Sequence, residues 1–128
     1  MAGTDNGAVL KVELEVALTQ EDIDDIMCGA LEGGITYWCG EAEVVGEYLG
    51  DFASDQISRG GTLKLYDNED DAYYELTLEK FQKGLQKFLE ERGKEVIDEH
   101  GALDTTELDA NDADLIVQYA LFGEVVYG

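Results

Sequence analysis

In a chain of 128 residues, 30 acids oppose 8 bases, giving a formal net charge of -22. That balance disfavours nucleic acid and anionic membranes as direct partners, since both repel such a surface, and favours basic protein surfaces or cations. The length suits one domain, residues 1–128, and an apolar content of 45% spread along the chain suits a packed core rather than disorder.

With no proline and 15 glycines, the turns fall to Gly, Asn and Asp. Residues 1–7 read as a flexible leader. From Leu10 to Leu18 apolar residues alternate with Lys11, Glu13 and Glu15, the period of two of a half-buried strand. Thr19 and Asp22 then form a variant capping box, ahead of a helical stripe through Ile23, Ile26, Met27, Ala30 and Leu31. Gly33–Gly34 either ends this helix or lies at a close packing contact within a helix running on to Tyr37–Trp38; the longer helix is the favoured reading.

Residues 41–60 carry the weakest pattern, with a short strand at Val44–Val45 and a short helix from Ala53 to Ser58 closed by Gly60–Gly61. Thr62 to Tyr66 and Ala72 to Thr77 form a hairpin around the polar turn Asp67 to Asp71. Thr77 caps a helix with the core stripe Leu78, Phe81, Leu85, Phe88 and Leu89, ended or interrupted by Gly93. Glu95 to His100 add a further turn, and Gly101 to Thr106 a loop. Asn111 or Asp112 caps a last helix that Gly123 stops, and Val125 to Tyr127 read as an edge strand. The expected fold is α+β: a small antiparallel sheet, made of the N-terminal strand plus a hairpin, with three to four helices packed on one face.

No catalytic site, cofactor site or metal site is expected. The one histidine, His100, has no partnering nucleophile in the pattern, and one histidine cannot build the usual catalytic zinc centres. Cys28 and Cys39 match neither a zinc pair nor a disulfide framework. No phosphate-binding glycine loop is present. Asp67, Glu69 and Asp71 alternate like calcium ligands, yet Ala72 stands where a calcium loop needs Gly and Leu78 where it needs Glu, so a hairpin turn is expected. Absence of an apolar h-region after Met1, and of any membrane-length apolar run, leads to the expectation of a cytoplasmic protein with free thiols.

The acids themselves then become the candidate site. Duplex DNA carries one charge per ~1.7 Å of axis, so a net charge of this size matches roughly 37 Å of duplex, about the diameter of such a domain. A nucleic-acid mimic would array carboxylates on one face, with Asp22, Asp25, Glu41, Glu43, Glu47, Asp67, Glu69, Asp70 and Asp71 as candidates. The alternative is a protein–protein adaptor or homodimer using an aromatic patch of Tyr37, Trp38, Tyr48 and Phe52, rings whose plainer reading is core. Lys80, Lys83 and Lys87 share a helix stripe that a dimer would use in pairing with the acidic body; local bonds to Glu79, Glu90 and Glu91 are the plainer reading.

The stretches EDIDDIMCGALEGGITYWC, EVVGEYLGDFASDQISRGGTLKLYD, LTLEKF and DADLIVQYALFGEVVYG resemble a group of small acidic proteins of unknown function, encoded on phages and conjugative elements of gut Firmicutes. The resemblance spans most of the chain except about residues 93–108, and GGITYWC and SDQISRGGTL are its most specific strings. It implies a cytoplasmic protein of a bacterial host, of mobile-element origin, and no particular site residues. By the company such proteins keep, it implies an inhibitor of anti-restriction or anti-CRISPR type, blocking a host nucleic-acid-binding protein.

Overall fold

The computed structural model describes residues 16–128, with backbone alone at residues 93 and 94. The chain runs α1 (Gln20–Gly29), β1 (Cys39–Val45), β2 (Thr62–Asp67), β3 (Ala72–Leu76), α2 (Leu78–Arg92) and α3 (Ala110–Phe122). It is an α+β fold in which the three strands make one antiparallel sheet in the order β1-β2-β3. Three α-helices occur among the described residues; the other helical pieces are short turns at Ala30–Gly34, Ala53–Asp55, Gly93–Val96 and Thr105–Glu107.

α1 begins as its capping residues require. Thr19 Oγ1 accepts from Asp22 N and Asp22 Oδ2 from Thr19 N, each at 3.0 Å, and Ile23, Ile26 and Met27 turn inward. Such a cap stabilises a helix by about 1 kcal/mol. The helix then widens into a π turn over Ala30–Gly34 and stops, so Tyr37 and Trp38 lie in the following turn rather than on a longer helix. Gly34 is nevertheless a close packing contact, because a Cβ there would collide with the Ala110 carbonyl oxygen.

The third strand beside the hairpin is β1, longer than the short piece expected at Val44–Val45. Residues 10–15 of the predicted N-terminal strand lie outside the described residues; of the rest, Ala17 makes an isolated parallel bridge to Ala102. β1 carries a bulge between Cys39 and Glu41. The extra residue lets Cys39 point into the core while Glu41, Glu43 and Val45 point out and Ala42 and Val44 turn inward. β2 alternates in the same way, with Leu63, Leu65 and Asp67 buried and Lys64 and Tyr66 on the outer side.

The inward sheet residues join one core with Met27, Trp38, Ile57, Phe81, Phe88, Ile116 and Val117. α2 crosses α3 at Gly84, where a Cβ would stand 2.6 Å from Ile116 O and Ala120 N. α3 is capped by Asp109, not by Asn111 or Asp112. Asp109 Oδ1 accepts from Asp112 N at 2.8 Å, and Asp112, at the third helical position, completes a capping box. Gly123 ends α3 in the left-handed region (φ 75°). Residues 125–127 are not an edge strand: Val126 N and Tyr127 N both donate to Gln118 Oε1, which holds the segment against α3.

Candidate binding surface

Two parts of the fold concentrate polar chemistry, one buried and one exposed. The buried part centres on Asp114, which is 2% exposed. Its carboxylate accepts from Tyr37 Oη at 2.6 Å, Trp38 Nε1 at 2.8 Å and Gln118 Nε2 at 2.9 Å. Trp38 stacks on Tyr127, whose hydroxyl donates to the equally buried Asp67 at 2.7 Å. These bonds fix the 35–38 turn and the C-terminal segment to α3 and the hairpin. Burial beside Asp114 pushes the Tyr37 phenol up to about 12, and the bond to Asp67 pushes Tyr127 to about 12. Each phenol therefore stays protonated as a donor, and the cluster is structural.

The exposed part is the outer side of the sheet. Cross-strand register places Glu41 opposite Tyr66 and Tyr66 opposite Tyr73, then Glu43 opposite Lys64 and Lys64 opposite Glu75. The Tyr66 and Tyr73 rings lie 4.9 Å apart, tilted by 52°, and Lys64 Nζ sits 4.5 Å from the Tyr73 ring centre. Tyr66 donates its hydroxyl to Asp71, and the Tyr73 hydroxyl lies 3.5 Å from Glu41 Oε2. These neighbouring carboxylates disfavour the phenolates, so the Tyr66 and Tyr73 pKa values both rise.

Of the nine acids proposed for one face, this sheet surface brings together Glu41, Glu43 and Asp71, and adds Glu75, which the sequence pattern does not single out. Glu69 is exposed at the hairpin tip, whereas Asp70 takes the hydroxyl of Tyr74, whose ring packs edge-on to Phe122. Asp67 is 1% exposed and cannot be offered to a partner; its Oδ1 accepts from Glu69 N and Asp70 N and shapes the turn. Asp22 caps α1, Asp25 accepts from Thr105 Oγ1, and Glu47 belongs to the loop beyond β1. Those three are not part of the sheet group.

The aromatic patch divides. Trp38 is core, while Phe52 and Tyr48 are 68% and 61% exposed on a loop clamped from within by Gln56. Gln56 Oε1 accepts from Leu49 N and its Nε2 donates to Glu47 O. Of the bonds expected for the α2 lysines, the one to Glu79 is made, by Lys83, whereas Lys80 donates to Glu75 O and Lys87 to the distant Gly123 O.

A shallow groove of about 360 Å³ runs between α1 and the start of α3, lined by Asp25, Cys28, Glu32 and Ala110 among others. Cys28 donates to Glu32, and this bond with the surrounding acids pushes the thiol up to about 11, which holds it as an inert thiol. No metal-holding group of three or more His, Cys, Asp or Glu occurs among the described residues, and none of their helices is long and apolar enough to cross a membrane. Comparison with protein families, curated proteins and solved structures returns no match.

Proposed function

We propose that the chain acts by binding rather than catalysis, offering carboxylates to a basic nucleic-acid-handling protein in the bacterial cytoplasm in place of phosphates. The resemblance to small acidic proteins of phages and conjugative elements supports an inhibitor of anti-restriction or anti-CRISPR type. One observation carries the reading: Glu41, Glu43, Glu69, Asp71 and Glu75 are exposed, and among the described residues none forms an ion pair with Lys or Arg. Lys64 stands opposite Glu43 and Glu75 but pairs with neither, so the group keeps a net negative field for a partner. In this reading the helices cover only the inner face of the sheet, as the burial of Leu63, Leu65 and Leu76 supports, and the outer face stays open.

The test is a pull-down from bacterial lysate beside a control protein of equal net charge. The reading expects nucleic-acid-binding proteins to be retained by this chain alone and released by duplex DNA. Retention of the same proteins by both would overturn it.

A second reading rests on the exposure of Val45, Tyr48, Leu49 and Phe52, an apolar group following β1. It makes the chain an adaptor or homodimer of a mobile element without mimicry. Binding through these residues would be nearly indifferent to salt, and mimicry would not.

A further inference from the structure

Resting on the binding reading above, we propose that the outer face of the sheet is a docking site for an arginine-rich, extended segment of a protein partner. The occupant follows from the chemistry of the face. Strands lie ~4.8 Å apart and same-side residues ~6.8 Å apart along a strand, so one row runs Glu41, Tyr66, Tyr73 and the next Glu43, Lys64, Glu75.

Nucleic acid is repelled by such a face, and an apolar partner would bury carboxylates without counter-charges. A cationic partner meets neither obstacle. The protein itself shows that the rings accept a cation, since the Lys64 ammonium rests over Tyr73. Tyr73 remains 48% exposed, and Tyr66 is anchored by its hydroxyl to Asp71, so the ring is held in place before a partner arrives. Arginine suits the site better than lysine because one planar guanidinium both pairs with a carboxylate through two N–H groups and stacks on an aromatic face. An extended segment also matches the flat, strand-spaced rows better than a helix.

The experiment is calorimetric titration of the full chain with a deca-arginine peptide, alongside two triple variants that each remove three charges. E41Q/E43Q/E75Q alters the face, whereas E90Q/E91Q/E99Q alters exposed acids of α2 and the following loop. The face variant is expected to bind about tenfold more weakly and the control variant to change by less than about twofold. Tyr73→Thr, which keeps a strand-forming residue, is expected to cost about threefold with arginine and less with deca-lysine. Circular dichroism confirms that each variant folds. Equal loss in both triple variants, or no binding by the unaltered chain, overturns the proposal. The wider reading fails separately: if the face variant still retains the same lysate proteins and yields them to DNA, the binding function stands and only its location falls.

Discussion

Asp114 draws its three donors from residues 37, 38 and 118, and the first two are 76 or more positions away along the chain. Replacing it by Ala strands the fully buried Trp38 indole N–H and removes the acceptor shared by Tyr37 and Gln118, which keeps its bond to Tyr127 O. Asp114→Ala is therefore expected to lower unfolding free energy by about 3 kcal/mol, measured by urea denaturation. The tyrosines give this region a pH signature. Their folded pKa of about 12 exceeds the ordinary phenol value of 10.0, so their contribution is complete below pH 10 and is lost as pH rises through 12. Denaturation at stepped alkaline pH should show a falling stability in that window, and Tyr37→Phe with Tyr127→Phe should be less stable below it and shallower across it. None of this pairing was visible in the pattern, where core was the plainer reading of Trp38 but nothing tied it to Asp114. Tertiary contact across so long a separation leaves no local trace.

At the scale of elements, the positions with strong local rules were legible. Thr19 and Thr77 cap, Gly123 stops α3, and the hairpin closes where its polar turn lies. β1 was only partly legible because its inward residues are small, Ala42 and Val44, its outward set includes Val45, and the bulge at Gly40 breaks the alternation. That is also why Glu41 and Glu43 read as acids in an uncertain stretch rather than as one row of a sheet, and why Glu75, two strands away, went unselected. The helix expected to reach Trp38 stops at Gly34 because the chain must turn there for Trp38 to meet Asp114 and for α3 to approach. Two glycines separate propensity from packing. Gly84→Ala improves helix propensity by about 1 kcal/mol, yet it meets the α3 backbone and is expected to destabilise by about 2 kcal/mol net. Gly123→Ala has open space but a left-handed φ and is expected to cost about 1 kcal/mol, both values read from denaturant midpoints.

For the whole molecule, charge was the most legible property and its arrangement the least. A net charge of -22 predicts self-repulsion, so added monovalent salt should raise the melting temperature measured by calorimetry. Composition could not say that Asp67, Asp112 and Asp114 are drawn inside, where Arg92 at 2.5 Å neutralises Asp112, nor that the sheet keeps its carboxylates outside around two tyrosines. Those choices depend on register and on which side of each strand meets the core. In the proposed reading they turn a diffuse negative charge into a surface that prefers a cationic partner. The most direct test of that account is displacement of labelled duplex DNA from a lysate protein retained by this chain, followed from about 50 to about 200 mM salt. The account predicts competitive displacement whose affinity falls steeply over that range. Binding that leaves the DNA in place, or that is unchanged by salt, would contradict it.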